Sequence, residues 1–316
     1  MIISIAEDMT LQQLKYIVSL DQWGHFGKAA EACGLTQSTL SLMIKKLEEE
    51  LDVMIFDRDS HPVKATGMGR RIIDQAKVVL YNVSQITEMT HSEKENLSGP
   101  LRIAMISTVA PVLVPGLFKY ISGNHPSIAL QTEEMLSETL KDKIRKTEID
   151  IGLLTAPSND PELLEIPVYT ESFYAYVSKT DPAYSMESIS LEKLKGRSVW
   201  IMQNGVRLFD MSMMRYFEAG AYERYFEGGR VGILIQIVND NGGLTLIPES
   251  HIKFIPPSQQ SCIKPIVEPG IKRTIALAIR RDYVHEAMLN VVLKALKTIV
   301  PARLLESVVK KDYLKL

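Results

Sequence analysis

Residues 26–58 read FGKAAEACGLTQSTLSLMIKKLEEELDVMIFDR, and this stretch decides how the first part of the chain folds. Ala29, Ala30 and Ala32 favour a short helix from about Phe26 to Cys33, and Gly34 supplies the permissive turn that ends it. Thr36 is a cap for a third helix. That helix repeats Leu40, Ile44, Leu47 and Leu51 on one side and sets Gln37, Ser38, Ser41 and Lys45 on an adjacent polar side. Two helices joined by a short glycine-containing turn, the second opening on small hydrogen-bonding side chains, form a helix-turn-helix.

Working outward, Thr10 caps a first helix carrying Leu11, Leu14, Ile17 and Val18, which stops near Trp23-Gly24. On the other side, IFDRDSHPVKATGMG (55–69) fits a two-stranded wing around a proline-containing turn. Thr66 then caps a long helix in which Ile72, Ala76, Val79, Val83, Ile86 and Thr90 are spaced 4-3-4-3-4. Such a seam pairs with a copy of itself, or it is the inner face of one amphipathic helix lying on its own domain. The charged run from Glu93 to Asn96 and then Ser98-Gly99-Pro100 end this helix, because Pro100 cannot donate and restricts the residue before it. The expected divisions are 1–66 for the DNA-binding domain, 67–94 for the linker and dimerisation helix, and 95–100 for a hinge.

From Leu101 onward strands and helices alternate: LRIAMI, a helix around Leu113 to Ile121, SIALQT, a helix over Glu138 to Lys146, IDIGLL, then FYAYVS, SVWIM and GLTLIP. This predicts an α/β domain with largely parallel sheets, closed by helices at about 283–298 and 302–314. The fold class is therefore α/β with an all-α N-terminal part.

Composition narrows the function. The chain has 316 residues, 46% apolar and 23% charged, enough for two domains with cores of their own. No run approaches the ~20 apolar residues of a spanning helix, and MIISIAEDMT lacks the basic start of a signal peptide. A cytoplasmic protein without a membrane partner is expected. Cys33 and Cys262 are the only cysteines, which excludes a disulfide scaffold or cysteine-rich zinc site. Six histidines (25, 61, 91, 125, 251, 285) are scattered, and GxSxG, Walker, HExxH and GxGxxG motifs are absent. Neither catalysis nor a metal or cofactor is expected.

The 26–58 stretch, the wing, the long helix and the α/β remainder resemble, in order, the LysR-type transcriptional regulators. Within that family SGPLRIAMISTVAP (98–111), MQNG and YFEAGA (202–221), GLTLIP (243–248), CIKP (262–265) and KRTIAL (272–277) are most similar to OxyR-type peroxide sensors. The resemblance implies a winged helix-turn-helix, then two periplasmic-binding-protein-like lobes in 101–316, lobe I about 101–168 and 266–316, lobe II about 169–265. It further implies a homodimer or homotetramer on double-stranded operator DNA, an inverted repeat, with RNA polymerase as a further partner.

Candidate DNA contacts are Gln37, which can pair bidentately with an adenine edge, Ser38, Thr39 and Ser41, the phosphate-binding Lys45 and Lys46, and Arg58 and Lys64 on the wing. Residues 1–69 hold six basic residues against ten acidic ones, so attraction to DNA must come from one asymmetric face and from dimerisation. Leu42 and Met43 stand where many family members carry polar groups, leaving thymine-methyl contact or packing as their role. The seam assigns dimerisation to Ile72, Ala76, Val79, Val83 and Ile86.

The resemblance places an effector site at Ser107, Thr108, Gln203, Asn204, Asn241 and Gly242, suited to a polar small molecule, and Arg207 adds a planar cation for an anion. At the two positions where peroxide sensors carry their reactive and resolving cysteines this chain has Arg207 and Tyr216. Thiol oxidation needs a thiolate, so the expected input is a small molecule, with redox sensing through Cys262 or Cys33 as the alternative.

Overall fold

The computed structural model describes residues 9–91, 97–190, 198–202, 222–226, 230–267, 271–283, 285–307 and 309. They divide into two compact units at Glu93/Lys94. The first unit begins with helices α1 (Leu11–Trp23), α2 (Phe26–Ala32) and α3 (Gln37–Leu51). Each boundary has a local cause. Thr10 and Gln13 make a reciprocal capping box on α1, and Gly24 ends it in the left-handed region at φ 58°. His25 caps α2 by accepting from the Gly27 amide at 3.0 Å, a role its sequence position did not disclose. Thr36 caps α3 by accepting from the Thr39 amide at 3.2 Å, and Asp52 closes that helix at φ 50°.

Two short strands, β1 (Phe56–Asp57) and β2 (Lys64–Ala65), pair antiparallel as the wing, and α4 (Gly67–His91) follows. A Cβ on Gly69 would lie 1.9 Å from the Ile55 carbonyl oxygen, so only glycine lets α4 start this close to the wing. Leu14, Ile17, Leu20, Leu40, Ile44, Leu47, Ile55, Phe56, Ile73 and Ala76 form the core of this unit.

In the second unit a nine-stranded sheet holds β3 (Gly99–Met105), β4 (Ile128–Glu134), β5 (Ile151–Ala156), β6 (Leu163–Val177), β7 (Ser198–Met202), β8 (Tyr222–Phe226), β9 (Leu244–Pro248), β10 (Ile263–Pro265) and β11 (Lys272–Arg280). Their order is β4-β3-β5-β11-β6-β9-β7-β8, with β10 also on β6. Helices α5 (Ala110–Asn124), α6 (Ser137–Arg145), α7 (Val231–Asn241) and α8 (Glu286–Ile299) pack against it. One core gathers residues of β3, β5, α5 and α8; separate clusters around Phe173, Val199, Leu244 and around Tyr176, Val238, Ile247 take alternate residues of β6 and β9 and so lie on opposite faces there.

Four expectations are corrected here. The sheet is mixed: β3 with β4 and β5, and β7 with β8 and β9, are parallel, whereas β11 and β6 cross the centre antiparallel to their neighbours. The strand expected at FYAYVS is the end of a 15-residue strand, β6. Gly99 and Pro100 are the first residues of β3 rather than hinge, held by pairing to Ile128 and Ala129. No helix forms over 302–307: Leu305 bridges to Tyr169, and the amides of Thr170 and Glu306 donate to Leu304 and Val168 carbonyls at 3.0 and 2.9 Å, so this stretch is spent on β6. The rest of the second expected C-terminal helix, apart from Val309, lies outside the described residues.

Candidate functional site

Helix α3 buries Leu40, Ile44 and Leu47 and turns Gln37, Ser38, Lys45 and Lys46 to solvent, while Thr39 and Ser41 are half-buried. Gln37, Ser38, Ser41 and Lys45 fall within one ~100° arc of the helix, as a groove-reading surface requires, and Thr39 and Lys46 flank it. Several already have partners. The Thr36 hydroxyl is 3.0 Å from that of Ser38 and 2.8 Å from that of Thr39. Lys45 and Lys46 reach Glu49 and Glu50 at 3.5 and 3.4 Å, exposed i,i+4 pairs of the kind that contribute only a few tenths of a kcal/mol, about 0.3–0.5.

On the wing, Lys64 is exposed. Arg58 is not a free cation. Its Nη2 donates to Glu48 Oε2 at 2.7 Å, its guanidinium lies 5.8 Å from the Phe26 ring centre, and its Nε is buried with no hydrogen-bond partner among the described residues. Glu48 also accepts from the amides of Ile55 and Phe56 at 2.8 and 3.1 Å, so the pair fixes the entry to the wing. Sequence reading missed Glu48, which looks like one of three consecutive surface glutamates.

The heptad seam is divided. Ala76 is buried in the core of its own unit, and Ile72 and Val79 pack against that core. Val83 and Ile86 remain exposed, Ile86 at 65%.

In the second unit a cavity of about 730 Å³ opens between the start of α5, the end of β4, the start of α7 and the turn holding His251 and Phe254. Ala110, Val114, Pro115, Val231 and Ile233 make most of its wall apolar, and Ser107, Glu133, Glu134, Arg230, Gln236 and His251 supply polar groups. Of the expected effector residues that are among the described ones, only Ser107 lines it. Thr108 is fully buried beneath: its hydroxyl accepts from Arg273 Nη1 at 2.7 Å and its carbonyl from His251 Nε2 at 2.8 Å, which puts the proton on that ring nitrogen. Asn241 is exposed and donates to the Ile237 carbonyl, and the Gly242 carbonyl accepts from the Trp200 indole at 3.0 Å; neither lines the cavity. Gln203, Asn204, Arg207 and Tyr216 lie outside the described residues.

Under the cavity Arg273 and Glu171 are cross-strand partners on β11 and β6. Arg273 Nε and Nη2 donate to Glu171 Oε1 at 2.9 and 2.7 Å, and the Ser250 amide donates to Glu171 Oε2 at 2.9 Å. The side chains are 1% and 0% exposed. The same shell holds the His251 imidazole below its ordinary pKa, chiefly because burial disfavours the charged form. Cys262 is buried beside a second pocket of about 520 Å³ that includes Ser178, Asn239 and Gln259, while Cys33 is half-buried at the end of α2. Among the described residues no cluster of His, Cys, Asp and Glu can hold a metal ion and no helix is long and apolar enough to cross a membrane.

Comparison with known proteins follows the same division. Residues 11–70 match the bacterial regulatory helix-turn-helix of the lysR family, and residues 94–300 match the LysR substrate binding domain. The chain is 31% identical over 276 residues to the DNA-binding transcriptional dual regulator OxyR of Escherichia coli K12, covering 86% of this chain and 90% of that one. It is 27% identical to the HTH-type transcriptional regulator EstR of Acinetobacter baylyi, covering 92% and 97%. A full-length OxyR cysteine-to-aspartate variant from Pseudomonas aeruginosa superposes with a TM-score of 0.80 at 30% identity, over 95% of this chain and 99% of that one. The paired matches, one to the DNA-binding part and one to the regulatory part, show that the chain belongs to the LysR family of DNA-binding transcriptional regulators and is OxyR-like within it.

Proposed function

We propose that this regulator binds an inverted-repeat operator as a homodimer or homotetramer, engages RNA polymerase there, and takes its input from a small organic acid rather than from peroxide. Gln37, Ser38, Thr39 and Ser41 read or border bases, and Lys45, Lys46 and Lys64 meet phosphates. Residues 1–66, 67–94 and 101–316 serve as DNA-binding, dimerising and effector-binding parts.

The observation that carries the effector reading is the pair Arg207 and Tyr216, standing where the sensors' two cysteines would be. A peroxide switch needs a low-pKa thiolate and a second thiol to trap the product. The remaining thiols, Cys33 and Cys262, belong to separate compact units. The cavity's size falls within the ~300–1,000 Å³ of small-molecule sites, and its apolar wall with Arg230 at the side suits an anion with an apolar body. Glu133, paired with Lys143 at 2.8 Å, and Glu134 outnumber Arg230 on the lining, so the ligand's single acid group sits at Arg230 and its apolar body against the rest of the wall.

A footprint on the protein's own operator, with and without peroxide, tests this reading. No change is expected in wild type. A reversible change in wild type that disappears in Cys33→Ser/Cys262→Ser would replace it with redox sensing, for which Cys262 beside its pocket is the candidate. Val83→Glu with Ile86→Glu should lower the solution mass, and an unchanged mass would remove α4 from the subunit contact.

A further inference from the structure

Leu42 and Met43 are adjacent apolar residues on a helix whose exposed side is otherwise polar, and the structure gives them different surroundings. Met43 packs against the core of its unit; Leu42 is 64% exposed. At ~100° per residue Leu42 falls opposite the buried row of Leu40, Ile44 and Leu47, at the crown of α3 with Ser38 and Lys46 to either side. Packing therefore accounts for Met43 and not for Leu42.

A single exposed leucine is ordinary on a protein surface. This one stands where the neighbouring polar groups are engaged within the protein: the Ser38 hydroxyl with Thr36, Lys45 with Glu49, Lys46 with Glu50. A helix entering the major groove crown first presents Leu42 to the base edges, where the apolar feature of unmodified DNA is the thymine C5 methyl. We propose that Leu42 is a specificity-determining residue that packs on a thymine methyl in each half-site of the operator. This rests on the reading of α3 as the groove-entering helix.

The test uses the full chain and a pool of random duplexes. After selection of a retained sequence, each thymidine is replaced in turn by deoxyuridine, which removes only the methyl and leaves pairing intact. One position per half-site should lose affinity in wild type, roughly fourfold for each methyl no longer buried, and Leu42→Ala should bind the thymidine and deoxyuridine duplexes equally. A selected duplex in which no position distinguishes the two, or a Leu42→Ala protein that keeps the wild-type ratio, overturns the assignment and leaves the helix reading standing. A pool that yields no preferred sequence overturns both. The deoxyuridine scan on wild type needs no variant to fold, and Leu42→Gln, at an exposed site, gives a second protein whose preference at that position should move away from thymine.

Discussion

Each unit holds a buried glutamate that ties an arginine and a stretch of backbone together, and the two are built differently. Glu48 accepts from two wing amides and from Arg58, ten residues away, whose side chain is one-third exposed. Glu171 accepts from the Ser250 amide and from Arg273, 102 residues away and sealed from solvent. Loss of Arg58 leaves a carboxylate that two amides still hold and that the vacated, one-third-exposed site opens to solvent. Loss of Arg273 leaves one in a dry interior, where an uncompensated charge is costly. The same chemical pair is thus a local brace in the winged helix and a fixed centre in the regulatory unit, where it also grips Thr108 under the cavity.

The largest effect should come from breaking the sealed pair. Arg273→Met is expected to cost the regulatory unit about 3–5 kcal/mol, read by denaturant unfolding of the full chain. Arg273→Met with Glu171→Gln, which removes the charge yet keeps an acceptor for the Ser250 amide, should recover at least half. A double variant no better than the single one would show that the loss comes from packing, and the contrast with Glu48 would collapse.

The brace in the winged helix should give smaller numbers. Glu48→Ala strands two buried amides and is expected to cost about 2–3 kcal/mol, while Arg58→Ala should cost about 1 kcal/mol, since the exposed side of the pair is screened. Arg58 was expected from the wing position to bind phosphate, which would lower the slope of affinity against salt by ~1 on its removal. Its pairing with Glu48 predicts instead an unchanged slope with a modest, uniform loss of affinity. A slope reduced by the full unit would mean that DNA draws Arg58 away from Glu48.

The two glutamates also explain what was legible in the sequence. The winged helix was readable because its signals act over a few residues: Thr10 with Gln13, Gly24, Gly34, and Thr36 with the Thr39 amide. Even there Glu48 was hidden, since nothing in a run of three glutamates says which one turns inward. In the regulatory unit the strands β3, β4, β5 and β9 were legible as apolar runs. The first half of β6 was not, because Glu165, Pro167 and Glu171 interrupt the pattern, and only partners from β11 and 250 make its interior polar group tolerable. Thr108 was singled out as a ligand contact for its place after β3, yet its bonds to His251 and Arg273 come from segments 143 and 165 residues away. Spacing along the chain carries no trace of such pairings.

The smallest expected effect separates the two centres by pH. His251 packs edge-on to Phe254 with ring centres 5.7 Å apart, and its Nε2–H donates to Thr108. Burial first, then the charges of Arg273 and Lys253, push its pKa down, against the Thr108 hydrogen bond and Glu171, which push it up. The unfolded chain takes up this proton near the ordinary value of ~6.5, whereas the folded chain does so only at lower pH. Below ~6.5 the unfolded state binds more protons, so stability falls as pH drops through that value and is flat above it as far as this group is concerned. Asp282, held down by Arg280, acts in a separate window below its ordinary 3.8. His251→Gln keeps an N–H for the Thr108 carbonyl without a titrating ring. The melting temperature of wild type should therefore decline relative to His251→Gln between pH 7.5 and 5.5, and Arg58→Ala, measured alongside, should decline in parallel with wild type. Parallel curves for wild type and His251→Gln would show that the shell around Glu171 and Arg273 admits a proton as readily as solvent does, and that the sealed centre is no drier than the brace.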